Sequence, residues 1–276
     1  MKAVQHLAEL KQLQELCEEE EHIQLKLNWE TLEQKSEDEL NKHSFFDQGR
    51  LIGFIGVYDF GSKVELCGLV HPEYRRKGIF TSLYQNALEE IKAKHFREIL
   101  FNAPVNSQSG KQFLKRVPFN YAFSEYQMKW QEAVLNIEMD VVVRPRTEED
   151  TKLEIELDAR CFGLRREEAA RFNMETRKER NQHSYIIEHE EEAVGKIRVS
   201  CFNQKDSWIY GFSVLPEFQG KGIGRQVLKT VILQERESGH DIYLEVEAKN
   251  EHALRLYTSC GFQPFNTQEY YRYSID

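Results

Sequence analysis

The sequence predicts two tandem copies of one α/β (α+β) unit, each a mixed, mostly antiparallel sheet flanked by helices. Three observations carry that expectation: an internal repeat, a length of 276 residues that suits two ordinary domains, and apolar stretches that switch between strand and helix periods. The repeat is the strongest of them, because a long-period repeat fixes the architecture before any single element is read. Val70 to Phe80 reads V-H-P-E-Y-R-R-K-G-I-F and Val214 to Gly224 reads V-L-P-E-F-Q-G-K-G-I-G, six identities in eleven at an offset of 144 (214 − 70 = 144). Carried forward without a gap, that offset pairs Leu100 with Leu244, Asn106 with Asn250, Phe113 with Tyr257, and Glu125-Tyr126 with Glu269-Tyr270. Upstream, Leu51 to Leu69 matches Ala193 to Ser213 with two extra residues in the second copy, which are expected in a surface turn. The boundary falls between Trp130 and Arg144-Pro145, giving an N-terminal domain over 1–135 and a C-terminal domain over 140–276.

The second copy is read in order. Thr147 is an N-cap, with Glu148, Glu149 and Asp150 in the favourable first turn of a helix running to Arg160. A second helix covers Arg166 to Arg180, and strands follow at Ser184 to Glu188, Val194 to Phe202 and Trp208 to Val214. Val227, Leu228, Val231 and Ile232 recur at helical spacing in Gln226 to Glu237, and Gly239 supplies the stop. A strand from Ile242 to Val246, a helix from Asn250 to Ser259 stopped by Gly261, and a strand around Tyr270 to Ile275 complete the unit.

Composition narrows the function classes. A formal charge of −9 argues against a nucleic-acid or anionic-membrane surface, both of which need clustered Lys and Arg. It leaves amine-bearing substrates open. The five cysteines, Cys17, Cys67, Cys161, Cys201 and Cys260, form no C-x-x-C pair, and the nine histidines form no spaced cluster, so no metal cofactor is expected. With no signal-like leader and no apolar run long enough to span a bilayer, the expected compartment is the cytoplasm.

The loop Gln219 to Gly224, Q-G-K-G-I-G, stands between a strand and a helix. Glycines there let the backbone come close to a ligand, successive N–H groups point outward, and the helix start adds positive potential, so a diphosphate is the natural guest, with Lys221 and Arg225 adding charge. The competing reading is a plain glycine-rich turn. A Walker A loop would need Ser or Thr after Gly-Lys, and a dinucleotide fingerprint would need other spacing than that of Gly220, Gly222 and Gly224.

Gln219-x-x-Gly222-x-Gly224 after a strand, followed by L-E-V-E-A-K-N-E-H-A-L-R-L-Y-T-S-C-G-F from Leu244 to Phe262, resembles the GNAT superfamily of N-acyltransferases. The second stretch is most similar to the ribosomal-protein alanine N-acetyltransferases. The resemblance implies two tandem GNAT-like domains, with acetyl-CoA as cosubstrate of the second. It implies that Gln219, Gly220, Lys221, Gly222, Ile223, Gly224 and Arg225 hold the CoA pyrophosphate. Phe212, Ser213 and Val214 would border the pantetheine arm on a strand that splays from its neighbour, with Asn250 and Tyr257 also in contact and a backbone N–H near Val214 polarising the thioester carbonyl.

Acylation of an amine needs a base for the ammonium and an acid for the departing thiolate. Tyr243, Glu245 and Glu247 share one face of their strand. Glu245 is the candidate base, twelve residues before the tyrosine (257 − 245 = 12) as in the alanine N-acetyltransferases, with Glu247 as runner-up and a solvated strand carboxylate as the competing reading. Tyr257 is the candidate acid, since a phenol of pKa about 10 keeps its proton at neutral pH; the competing reading is a core tyrosine. Asn250 is also a good N-cap, and Cys260 reads as a packing residue.

In the first copy, Phe80 replaces Gly224, Phe113 replaces Tyr257, and Leu100-Phe101-Asn102 offers no carboxylate in the place of Glu245. Phe80 is expected to obstruct a diphosphate, so this copy is expected to be degenerate and structural, forming a cleft wall or covering a sheet edge of the second copy. The function expected is direct acetyl transfer from acetyl-CoA to a primary amine of a small molecule or of a protein N-terminus or lysine. A non-catalytic acyl-CoA-sensing or partner-binding protein is the alternative. Neither the amine nor the oligomeric state is written in the sequence.

Overall fold

The computed structural model describes residues 2–94, 96–135, 140–178, 181–201 and 205–274. They form two compact units, one of Met1–Ser124 with Asn266–Asp276 and one of Glu125–Phe265. This division is not the linear one expected at 135–140, because the first unit takes its last strand from the C-terminal part of the chain and the second begins at Glu125.

The first unit contains α1 (Lys2–Glu21), α2 (Trp29–Glu33), α3 (Glu37–Lys42), β1 (Ser44–Asp47), β2 (Arg50–Phe60), β3 (Lys63–Val70), α4 (Ile79–Ala93), β4 (Glu98–Pro104) and α5 (Gln108–Leu114). Its sheet runs β1-β2-β3-β4 and is completed by the later part of β11 (Phe262–Tyr273), which pairs Gln268–Arg272 against Pro104–Leu100. Leu10, Leu13 and Cys17 of α1 meet Phe54, Tyr58 and Leu69 on one face. Leu83, Tyr84 and Ala87 of α4 meet Ile55, Leu66 and Phe101 on the other. A sheet apolar on both faces must be covered on both, so this is a three-layer unit.

The second unit repeats the plan. After the later part of β5 (Phe119–Trp130) come β6 (Val141–Pro145), α6 (Thr151–Phe162), α7 (Arg166–Thr176), β7 (Gln182–His189), β8 (Glu192–Cys201), β9 (Asp206–Val214), α8 (Ile223–Glu237), β10 (Asp241–Glu247) and α9 (Glu251–Ser259). The strand order is β5-β10-β9-β8-β7-β6, with β10 parallel to β9 and the other pairs antiparallel. The mixed, mostly antiparallel sheet is as the sequence predicts. Val227, Leu228, Val231 and Ile232 of α8 are buried against Ile197, Val199, Ile209 and Leu244, which explains the helical spacing read from the sequence. Thr147 is the N-cap expected, and with Asp150 it forms a capping box at the short turn that leads into α6. On the opposite face, Lys196 Nζ of β8 lies 2.6 Å from Asp158 Oδ1 of α6, both side chains 2% exposed. Asn173 of α7 donates to the same carboxylate at 2.8 Å.

Several expectations are corrected. Strand β6 and helix α1 carry weak periodicity and were not foreseen as elements. The ends expected at Arg180, Phe202 and Ile275 lie outside the described residues. The ungapped offset also fails after the long helices. α5 is capped by Ser107 and α9 by Asn250 (250 − 107 = 143), and the last strands start at Phe119 and Phe262 (262 − 119 = 143). The true partner of Tyr257 is therefore Leu114, that of Glu245 is Asn102, and that of Glu125 is Gln268. The turn between α8 and β10 is one residue shorter than its counterpart, which no residue pattern announced. One of the two extra residues upstream is likewise not in a turn. It forms a bulge in β9, where Gly211 and Phe212 stand opposite Ile197, between the pairs Arg198 with Tyr210 and Lys196 with Ser213.

Two stability outcomes follow. Residues 140–276 expressed alone lack the strand that pairs with β10 along Tyr243–Glu247, so circular dichroism on heating should show no cooperative transition; a sharp one contradicts the division. Asp158→Ala should cost about 3–5 kcal/mol in urea unfolding, because it strands a buried ammonium, and a loss below about 1 kcal/mol would mean the pair is not buried in solution.

Candidate functional site

In the second unit β9 and β10 are paired only from Asp206 with Asp241 to Ile209 with Leu244. Beyond that point β9 runs on to Val214 and β10 to Glu247. Two strands of one sheet thus part company, and the backbone groups that face the opening need partners other than each other. The bulge sits at the start of this opening. Gly211 adopts φ +55°, and a Cβ there would stand 2.9 Å from Arg198 Nε, so the position takes glycine for both reasons.

At the far end of β9 a short turn over Pro216–Phe218 leads into the glycine loop. Gln219 folds back, its Nε2 donating to the Val214 carbonyl at 2.8 Å. Gly220 and Gly222 have φ +79° and +82°, and a Cβ at either would meet nothing within 4 Å. Gly222 is the left-handed N-cap of α8. Among the described residues, no protein acceptor meets the amides of Gly220, Lys221 or Gly222. Together with the unfilled first turn of α8 they make a concave group of donors, which is an anion site in form. Lys221 and Arg225 are exposed beside it, the Lys221 ammonium lying 4.8 Å from the Phe218 ring centroid.

The candidate catalytic groups are held as follows. Glu245 is half-buried on β10 and accepts a hydrogen bond from Gln127 Nε2 at 2.9 Å. Gln127 belongs to β5, so the first copy's last strand supplies it; nothing in the sequence could identify it without the strand pairing. Glu247 is engaged locally, 2.6 Å from Lys249 Nζ. Tyr257 packs against the core of the second unit, and burial pushes its hydroxyl up to about 12. Asn250 does what its position at a helix start predicts, its Oδ1 accepting from the Ala253 amide at 3.1 Å. Cys260 is fully buried, and burial raises its thiol, in keeping with a packing role. Phe212 is the second residue of the bulge on β9 and Ser213 and Val214 follow it, and the Cys161 thiol donates to the Val214 carbonyl at 3.5 Å.

The first unit keeps the frame of this site. Gly78 caps α4 at φ +83°, Arg75 Nε donates to the Val70 carbonyl at 3.0 Å, the Cys17 thiol to the same carbonyl at 3.4 Å, and pairing between β3 and β4 stops at Leu66 with Phe101. Phe80 does not obstruct the loop as expected. Its ring folds onto Gly68, where a Cβ would be 2.4 Å from Cε2, and it packs edge-on to Phe113 with centroids 4.7 Å apart. The second unit fills the same space from the opposite element, with Phe212 on the strand and Gly224 on the helix, where a Cβ would stand 3.6 Å from the Phe212 ring. The two units differ at the candidate catalytic positions: Asn102 and the core residue Leu114 stand where the second unit has Glu245 and Tyr257. Its Arg75 is paired with Glu21, whose carboxylate also accepts from Ser107 and Ser109 at the start of α5.

A forked sheet joined to a glycine loop at a helix start defines an α/β fold with an anion site in form at the mouth of the fork. The chain belongs to the acetyltransferase (GNAT) family, whose model matches residues 6–116 and 151–262. Among curated relatives it is 42% identical over 67 residues to N-alpha-acetyltransferase RimI of Mycobacterium tuberculosis, covering 24% of this chain and 41% of that protein. It is 41% identical over 58 residues to spermine/spermidine N(1)-acetyltransferase of Bacillus subtilis, covering 20% and 38%. The match thus spans less than half the length of either relative. In fold it is similar to a GCN5-related N-acetyltransferase from Sphaerobacter thermophilus, with TM-score 0.71 and 18% identity over 96% of this chain and 91% of that one. It is also similar to a tandem GNAT protein from the clavulanic acid biosynthesis pathway, with TM-score 0.64 and 17% identity over 82% and 80%.

Gly222→Val tests the loop. A β-branched residue is strained at φ +82° and should cost about 1–3 kcal/mol. Binding of 3′-phospho-ADP, measured by calorimetry, should be lost in a protein that still folds; unchanged affinity would remove the loop from the site.

Proposed function

We propose that the second unit transfers an acetyl group from acetyl-CoA to a primary amine, by direct attack with both substrates bound. The observation that carries this reading is the continuity of the opening between β9 and β10 with the donor-lined loop at Gly220–Gly222. A diphosphate at the loop places an amide-bearing arm in reach of the opening, where each strand has an edge able to pair with amide groups. Phe212, Ser213 and Val214 border that arm on β9. Lys221 and Arg225 add charge to the diphosphate subsite, and Gln219, Ile223 and Gly224 shape its backbone.

Glu245, held by Gln127, takes a proton from the ammonium, directly or through a water. The freed amine attacks the thioester carbonyl carbon, whose oxygen is stabilised by a backbone N–H near Val214. Collapse of the tetrahedral species breaks the C–S bond, Tyr257 gives its proton to the thiolate, and the second proton lost by the nitrogen passes to solvent, from which the phenol is restored. Burial suits Tyr257 to that task, since a hydroxyl raised to about 12 stays protonated throughout the neutral range. Glu247 is the weaker base because Lys249 already occupies it. The named relatives act on amines of two sizes, which supports an amine acceptor and leaves its identity to experiment. The first unit carries no transfer chemistry. The free state of all five cysteines fits a reducing compartment such as the cytoplasm, and among the described residues no helix is long and apolar enough to cross a membrane.

Kinetics on an amine panel test the roles. Tyr257→Phe and Glu245→Gln should each lower kcat by about 10²- to 10⁴-fold in proteins that still bind acetyl-CoA, with affinity unchanged for Glu245→Gln. Unaltered turnover removes the residue from the mechanism, and a parent protein that binds acetyl-CoA but acetylates no amine is a sensor rather than an enzyme.

A further inference from the structure

The second unit gathers a group of side chains that the transfer chemistry does not use. Cys201 at the end of β8, Glu235 in the last turns of α8 and His240 in the turn before β10 place Sγ, a carboxylate oxygen and Nδ1 within 4.8 Å of one another. His240 Nδ1 lies 2.8 Å from Glu235 Oε2, with side chains 16% and 11% exposed, and Cys201 Sγ lies 3.8 Å from the same oxygen. Ser207, fully buried on β9, stands among them: its hydroxyl bonds Glu235 and lies 3.0 Å from His240 Nδ1 and 3.2 Å from Cys201 Sγ.

We propose that Cys201, Glu235 and His240 form a structural zinc site. The donor set decides the ion. One thiolate, one imidazole and one carboxylate suit a borderline-soft divalent ion of tetrahedral preference, whereas magnesium and calcium require several oxygen donors. Ligand distances of about 2.0–2.3 Å put tetrahedral donors roughly 3.3–3.6 Å apart, and the separations of 2.8 and 3.8 Å bracket that range. A water or the Ser207 hydroxyl fills the fourth position. Binding replaces the thiol proton, which leaves to solvent, and draws the remaining His240 proton to Nε2.

The site is structural because of where it lies. Ser207 is the second residue of β9 and Val214 its last, seven residues apart (214 − 207 = 7), so the cluster is about 20 Å along the strand from the glycine loop. Its ligands come from a strand end, a helix and the turn that follows that helix, and an ion there ties the three together beyond the hydrogen bonds that already link them. The intervals of 34 and 5 residues (235 − 201, 240 − 235) match no ligand spacing, and only the fold brings the three together.

The test uses the full chain, reduced with a phosphine and stripped with a chelator. Titrated with cobalt(II), it should bind one equivalent with a thiolate-to-cobalt charge-transfer band and intense tetrahedral d–d bands, both erased by zinc. Zinc should also raise the thermal midpoint. Cys201→Ser, which keeps the hydrogen bond to Ser207 and hence the fold, should abolish the charge-transfer band and the zinc-induced shift, and His240→Ala should weaken cobalt binding by more than about tenfold. No thiolate band in the parent, or one that survives Cys201→Ser, overturns the proposal and leaves a purely hydrogen-bonded network.

Discussion

The chemistry proposed for the second unit depends on a sheet that stops pairing before its strands end. In a closed sheet each interior strand gives its backbone groups to two neighbours, and no ligand can enter. Here β9 and β10 are bonded through Ile209 and Leu244 and then separate, so two inner edges with unused backbone groups open toward the end where the glycine loop lies. The bulge at Gly211 supplies the bend. The Asp158–Lys196 pair and Asn173 fasten α6 and α7 to the far face of β8, which holds the side of the fork that must not move.

The two units separate what that frame needs from what the chemistry needs. Both have the fork, the left-handed glycine at the helix start, and a thiol and a side-chain N–H bonded to the carbonyl that ends the inner strand. Both even fill the same space with a phenyl ring, carried by Phe80 in one and Phe212 in the other. Such a swap conserves volume, which a packed interior demands. The first unit has Asn102 and Leu114 in place of a carboxylate and a phenol, and Glu21 already sits on its arginine. Its frame persists without its reactants.

Much of the fold was legible because repeats and helical periodicity are local signals. The span of α8, the cap at Asn250 and the mixed sheet were all readable, and the glycine loop was placed correctly between strand and helix. Three features were not. The offset changes from 144 to 143 where one turn is a residue shorter, and a one-residue slip exchanges the faces of a strand, which is why Phe113 and Phe101 seemed to oppose Tyr257 and Glu245. The last strands of the two copies complete each other's sheets, and hydrophobic pattern says nothing about which of two similar edges a strand will choose. Gln127 was invisible for the same reason: its value comes from a pairing across 118 positions of sequence.

The account rests on the amides of Gly220, Lys221 and Gly222 being the grip on a diphosphate, and amide resonances of the isotopically labelled full chain read that directly. Addition of acetyl-CoA should saturate at one equivalent per chain and shift the resonances of Gly220, Gly222 and Gly224 most strongly, leaving Arg76, Lys77 and Gly78 unmoved. Saturation with the largest shifts at Arg76 to Gly78, or no shift at either loop, would contradict it.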